Sequence, residues 1–323
     1  MLRRTLRSGL SLTELGFGAA QLGNLFRETT DDEARAAVDA AWDAGIRYFD
    51  TAPHYGLGLS ERRLGATLAD RPRSEFVLST KVGRLIVPND APDGTMDDEG
   101  FMVPATSRRE YDLSRDGIRR SVDESLERLG LDRIDIAYLH DPDDFGPAAH
   151  AEAIPALIEL RDEGVVGAVG AGMNQSAMPA EFVRRHDVDV IMLAGRYTLL
   201  EQGALDELLP LATDREVGIV AAAVYNSGLL SRPRPASDAH YDYGPAPAAM
   251  IARANAIADV CEEFGISLPE AAIAFPLRHP AVVSVVVGLR TADQVVGTAE
   301  RYSTRIPDEF WRALADRGLT RDA

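Results

Sequence analysis

Residues 30–50 read TDDEARAAVDAAWDAGIRYFD, and the change of period inside this stretch decides the fold. From Asp31 to Ala44 the residues Ala34, Ala37, Val38, Ala41 and Trp42 recur at the three-to-four spacing of one helix face, with Thr30 or Asp31 as N-cap and Gly45 as the stop. From Ile46 to Asp50 the period gives way to a short branched and aromatic run, the composition of a buried strand. The same alternation extends in both directions. Strands are expected at Leu15–Gly18, Ile46–Asp50, Phe76–Lys81, Ile134–Leu139, Val165–Gly170, Val190–Ala194, Gly218–Ala223 and Val282–Val287, each followed by a helical segment. One of these, Ser114 to Leu129, aligns Ile118, Val122, Ser125, Leu126 and Leu129 before stopping at Gly130. Eight βα units over about 250 residues predict an α/β fold, a single (β/α)8 TIM barrel. One domain over residues 1–323 is expected, with a C-terminal helix from Pro307 to Arg317.

Two stretches rich in Pro, Gly and Asp, Val82 to Asp112 after strand three and Leu229 to Pro247 after strand seven, are expected to be long irregular loops. Both leave the C-terminal ends of barrel strands, where active sites are built, so they read as lids.

Composition excludes several functions. With 34 Lys plus Arg against 51 Asp plus Glu the formal charge is −17, which repels nucleic acid and anionic membranes. Hydrophobic content of 46% with 26% charged residues suits a packed globular protein rather than a disordered one. Cys261 is the single cysteine, so an intrachain disulfide and a thiolate cluster are ruled out. The segment from Met1 to Leu12 has no signal-like apolar run, and the expected location is cytoplasmic. No metal site is expected. His150, His186 and His240 lack zinc-type spacing and read as surface residues, and His279 belongs to the connection into strand eight. Asp141, Asp143 and Asp144 lack the spacing of a calcium loop.

Lys81 is the only lysine; the other 33 basic positions are arginine. An ammonium is a compact charge whose pKa moves on burial, whereas a guanidinium stays charged and forked, so Lys81 is the first site candidate. Asp50 closes strand two, Lys81 closes strand three, His140 follows strand four, and Tyr55 lies five residues past Asp50. Together they suit one acid/base unit: Tyr55 moves the proton, Lys81 lowers its pKa, Asp50 holds Lys81, and His140 hydrogen-bonds the substrate oxygen. By spacing alone, Asp50 reads equally well as a capping residue and Tyr55 as a lid aromatic. His54 reads either as a partner for a substrate hydroxyl or as a loop contact.

Residues Tyr48 to Gly65, YFDTAPHYGLGLSERRLG, together with STKVG around Lys81, LHDPD around His140, the opening GFGAAQLGN and the closing VVVGLRTADQV, resemble the aldo-keto reductase family over nearly the whole chain. The resemblance implies a catalytic tetrad of Asp50, Tyr55, Lys81 and His140. It also implies a nicotinamide dinucleotide laid across the barrel face rather than in a Rossmann fold, and no complete GxGxxG is present. Gly16, Gly18, Gly56, Gly58, Gly170 and Gly172 read as tight turns. Cofactor contacts implied by resemblance are Gly18 and Ala19, Asn174 on the carboxamide, Tyr225 against the nicotinamide ring, Ser227, Gly228 and Leu229 over the pyrophosphate, and Gly288, Arg290, Thr291 and Gln294 at the adenosine end. Gly172 and Ala194 depart from the serine and glutamine of many members. Gly288 and Gln294 replace cations found in NADP-preferring members, which implies NAD, with NADP possible if Arg290 compensates.

Wording such as RSVDESLERLGLDRIDI, AGRYTLLEQ and NSGLL resembles the family's aldose 1-dehydrogenases, including those for L-fucose and D-threo-aldoses; pyridoxal 4-dehydrogenases and L-galactose dehydrogenases share much of it. Oxidation of an aldose at its anomeric hydroxyl to the lactone is implied, with His54, Tyr55, His140 and Asn226 as substrate contacts. The alternatives are a pyridoxal hemiacetal, carbonyl reduction, or a dinucleotide-binding regulatory subunit like those of potassium channels. The expected partner is a small molecule, and the expected state a monomer or homodimer.

Overall fold

The computed structural model describes residues 1–321 apart from positions 91, 93 and 243; these three and residues 322 and 323 lie outside the described residues. Eight parallel strands close a barrel: β1 (Leu15–Gly18), β2 (Tyr48–Asp50), β3 (Val77–Val82), β4 (Ile134–His140), β5 (Val166–Met173), β6 (Val190–Ala194), β7 (Gly218–Ala222) and β8 (Val282–Gly288). Each strand pairs with its neighbour in chain order, and β8 returns to β1 in the register Val285↔Leu15 to Gly288↔Gly18.

The first helix, Asp31–Asp43, starts where sequence requires. Thr30 Oγ1 accepts from the Glu33 amide while the Glu33 carboxylate accepts from the Thr30 amide, a reciprocal cap that makes Thr30 the N-cap. Its buried residues are Ala34, Ala37, Val38 and Ala41, and Gly45 turns into the strand with φ 84°. Two cores result. The larger lies between helices and barrel wall and includes Phe17, Phe49, Leu139 and Ile219. The smaller fills the lumen with Tyr48, Tyr138, Met192 and Val220. An N-terminal hairpin, Arg3–Thr5 with Ser11–Thr13, brings Leu6 and Leu10 against the first residues of β7 and the second of β5, closing the N-terminal end. The C-terminal strand ends are left for chemistry.

Several boundaries differ from expectation. β2 begins at Tyr48 rather than Ile46, β3 covers Val77–Val82 rather than Phe76–Lys81, and β7 stops at Ala222. β5 starts at Val166 and runs three residues past Gly170, because Gly172 pairs with His140 of β4. The turn reading therefore fails for Gly16, Gly18, Gly170 and Gly172, which lie inside strands, the first three where neighbours leave little or no room for a side chain, and holds for Gly56 and Gly58, both at positive φ. The long loop expected at residues 82–112 is regular at its two ends. Arg84–Pro88 pairs with Ser107–Tyr111 as an antiparallel hairpin, seeded by the branched run Leu85–Val87. Among the described residues the loop after β7 contains only the short pairing of His240–Tyr241 with Gly244–Pro245. The C-terminal helix is Asp308–Asp316, with Pro307 and Arg317 as its caps.

Candidate active site

Lys81 leaves β3 into the mouth of the barrel with 2% exposure, and its Nζ donates to Asp50 Oδ2 at 2.7 Å and to the Thr51 carbonyl at 2.9 Å. Ser79 Oγ donates to the other Asp50 oxygen at 2.7 Å, so both carboxylate oxygens are engaged. Burial works against the ammonium, but Asp50 and Tyr55 more than offset it and hold Lys81 above its ordinary pKa. Lys81 is therefore a fixed cation. Its nitrogen stands 4.8 Å from the centre of the Tyr55 ring. Tyr55 is carried by a turn whose backbone meets another: a Cβ on Gly56 would come within 2.2 Å of the Gly23 carbonyl, so only glycine permits this approach.

His140 ends β4 with its ring 6.1 Å from Tyr55 and 5.4 Å from His54. All four tetrad candidates thus converge. Burial and the nearby Arg84 and Lys81 drive the His140 pKa well down, so the ring is neutral. His54 is pushed down to about 2 by burial and by Arg109, Arg84 and Lys81. The Nδ1 atoms of both rings are buried without a hydrogen-bond partner. One expectation fails: the Tyr55 pKa is raised, because burial outweighs the attraction of Lys81 and Asp50 opposes it.

The cofactor candidates divide. Gly18 pairs with Asp50 across β1 and β2, and the buried Ala19 donates its amide to the Asp50 carbonyl, so both lie beside the tetrad. Asn174 follows β5; its carbonyl accepts from Arg196 Nε, while its side-chain amide has no hydrogen bond among the described residues. Asn226, Ser227 and Gly228 adopt φ of 45°, 57° and 91°; the Asn226 and Gly228 amides donate to the Ala223 and Tyr225 carbonyls, which leaves the amide of the exposed Ser227 without a hydrogen bond among the described residues. Leu229 is buried and contributes packing. The free carboxamide partner and the exposed turn fit a dinucleotide.

Other placements correct the sequence reading. Tyr225 packs outside the lumen, against the outer core, with Arg301 and Thr298 as its polar neighbours, so it does not face the barrel mouth. Asn226 is buried; Oδ1 accepts from Thr198 and Nδ2 donates to the Gly195 carbonyl, so its side chain ties two loops together and is not free for substrate. Arg290 is also committed: Nη1 donates to the Arg27 carbonyl and Thr29, and Nη2 to the Leu25 carbonyl. Gln294 Oε1 accepts from the Arg290 amide, and Thr291 caps the helix Ala292–Ser303. A Cβ on Gly288 would fall 2.5 Å from Gln21 Nε2, so the Gln21 amide fills the space a longer side chain there requires. By contrast, a Cβ on Gly172 meets Lys81 Cε at 3.6 Å, an ordinary contact, and glycine is not sterically demanded. His150 and His186 are not isolated surface residues either; their rings stack with Nδ1 and Nε2 2.9 Å apart.

Several supporting residues escaped sequence reasoning. Glu61, fully buried, accepts from Thr80, the residue before Lys81, at 2.7 Å and from Arg128 at 2.5 Å. Its signal was available, since Glu61 shares a helix face with Leu64 and Leu68 at three- and seven-residue spacing. Arg109, from the hairpin, pairs with Asp97 and donates to the His54 carbonyl at 2.9 Å. Arg196 joins Asn174 to the loop after β7 through Asp242. Among the described residues no helix is long and apolar enough to cross a membrane, and no group of three or more His, Cys, Asp or Glu is placed to hold a metal.

Comparison with known proteins agrees with this geometry. The chain is 52% identical to D-threo-aldose 1-dehydrogenase of Pseudomonas sp., an alignment covering 97% of this chain and 96% of that one. It is 40% identical to pyridoxal 4-dehydrogenase of Microbacterium luteolum over 97% and 96% of the two chains. The holo form of an aldo-keto reductase from Bacillus halodurans superposes with TM-score 0.78 at 28% identity, covering 100% of this chain and 97% of that one. Residues 14–316 match the model of the aldo/keto reductase family, so the chain belongs to that family and is an oxidoreductase that works with a nicotinamide cofactor.

Proposed function

We propose that this enzyme is an aldose 1-dehydrogenase, oxidising the anomeric hydroxyl of a cyclic aldose to the lactone with NAD. The convergence of Tyr55 and His140 above the buried Lys81–Asp50 pair carries the reaction chemistry, and the 52% likeness to a D-threo-aldose 1-dehydrogenase supports the substrate class. When bound, the nicotinamide ring supplies the hydride acceptor and, in its oxidised form, a positive charge. Tyr55 takes the hydroxyl proton at its phenol oxygen, or returns it in the reverse direction. Lys81 stabilises the phenolate, and Asp50, steadied by Ser79, keeps Lys81 in place. His140, neutral over the working range, donates a hydrogen bond to the reacting oxygen, and His54 lines the same mouth. Asn174 offers its free amide to the carboxamide. In the turn Asn226–Gly228 the Ser227 amide is the one offered to phosphate, since the amides on either side of it donate within the loop. The whole barrel acts as one unit.

The adenosine end supports NAD. Arg290 spends its terminal nitrogens on the chain's own loop, Gln21 fills the space at Gly288, and Glu33 stands near Arg27, so a 2′-phosphate dianion would meet poorly matched charge. The direct test follows nicotinamide absorbance with NAD or NADP and, separately, L-fucose, L-galactose, D-arabinose and pyridoxal. Reduction of NAD by a sugar is the expected outcome. Activity on pyridoxal alone would replace the aldose substrate, and cofactor binding without turnover of any substrate would reject the catalytic proposal.

A further inference from the structure

Beside the tetrad stands a carboxylate that the reaction does not use. Asp141 follows His140 in the left-handed region, with φ 39°, a conformation that non-glycine residues occupy at a cost unless their surroundings impose it. The surroundings do so here: the Asp141 amide donates to the Gly172 carbonyl at 3.0 Å, and Arg84 Nη2 donates to Oδ2 at 2.8 Å. The same Oδ2 lies 3.5 Å from His140 Nε2, too far for a good hydrogen bond. The other oxygen, Oδ1, has no hydrogen bond among the described residues, and the side chain is 33% exposed. Arg84 is shared with an aromatic pair. Its guanidinium lies 5.1 Å over Tyr111, whose ring packs against Phe145 with centroids 4.6 Å apart and planes tilted by 36°, and both rings are exposed at the rim.

We propose that Asp141, held by Arg84, accepts a hydrogen bond from the substrate hydroxyl on the carbon adjacent to the reacting one and thereby selects polyhydroxylated substrates. Vicinal oxygens on a sugar lie about one hydrogen-bond length apart, so an oxygen on His140 Nε2 brings its neighbour to Asp141. The Tyr111–Phe145 pair gives the apolar face of the sugar a surface to rest on. A substrate without that hydroxyl leaves the carboxylate unmatched, which is how a polar subsite discriminates. This inference rests on the aldose proposal only for the identity of the substrate.

The test measures two ratios of kcat/KM in the full-length enzyme, L-fucose over 2-deoxy-L-fucose in oxidation and glyceraldehyde over propanal in reduction. Asp141→Ala and Asp141→Asn are compared with wild type, the asparagine variant because that residue tolerates positive φ. Each ratio is expected to fall by roughly 10- to 100-fold in Asp141→Ala, the loss of a hydrogen bond to a charged group, and by less in Asp141→Asn. Thermal unfolding and NAD fluorescence titration establish that both variants fold and bind cofactor. Ratios that stay at the wild-type value in a folded variant overturn the inference. If no aldose is oxidised, the aldose proposal fails and the glyceraldehyde to propanal ratio alone decides the role of Asp141.

Discussion

Tyr55 combines two influences that pull in opposite directions: burial keeps the phenol protonated, and Lys81 favours its phenolate. Replacing it with phenylalanine removes the proton carrier while leaving Asn174 and the turn at Ser227 untouched. Tyr55→Phe is expected to lower kcat by about 100-fold or more, with NAD affinity, read by fluorescence quenching, nearly unchanged. The raised pKa also sets a pH signature. Oxidation needs the deprotonated phenol, so its kcat/KM is expected to climb with pH from neutrality toward 10, while the reverse reduction, which needs the protonated phenol, stays level over the same range. Because His140 stays neutral, neither profile should show an inflection near 6.5. At the far end of the cofactor, Gln294→Arg adds a cation and removes the acceptor for the Arg290 amide; kcat/KM for NADP relative to NAD is expected to rise several-fold. An unchanged ratio would place the adenosine elsewhere.

At the scale of elements, helix Leu59–Leu68, helix Arg115–Leu129 and β3 are clamped through Glu61, which reaches Arg128 on one side and Thr80 on the other. Glu61→Ala removes the acceptor of Thr80 and of Arg128 Nε, leaving Arg128 with Ser125 and the more distant Glu124, and is expected to cost about 3 kcal/mol in denaturant unfolding, the low end for breaking a buried pair. Activity should fall in proportion to the folded fraction. Such clamps explain what sequence could and could not disclose. The barrel was legible because each strand is a short branched run and each helix carries its own face, both local properties. Asp50, Tyr55, Lys81 and His140 were legible because strand ends converge by topology. Tyr225 and Asn226 were misread because sequence order does not tell which side of a turn faces the lumen; three left-handed residues there reverse the direction in which side chains project. The hairpin between Arg84 and Tyr111 was missed because its two strands are separated by a long Gly- and Pro-rich connection, so their pairing is not a local property of the sequence.

The molecule as a whole carries neutral histidines in a dense interior. His140 and His54 are harder to protonate in the fold than in the unfolded chain, so as pH falls below about 6.5 the unfolded chain takes up protons first and stability is lost. Between pH 7 and pH 5 the fully enclosed His140 alone is expected to contribute about 2 kcal/mol to this loss. Urea unfolding at the two pH values, with His140→Gln as comparison, should show a shallower pH dependence in the variant. A different consequence follows from the single lysine at the floor of the mouth. Reagents that acylate side-chain amines find no target on the outside of this protein, whose cationic surface side chains are all guanidinium groups. Lys81 is then a built-in clock: as an ammonium bound to Asp50 it does not react, so the rate at which it is acylated in native buffer reports how often that ion pair separates and the amine loses its proton.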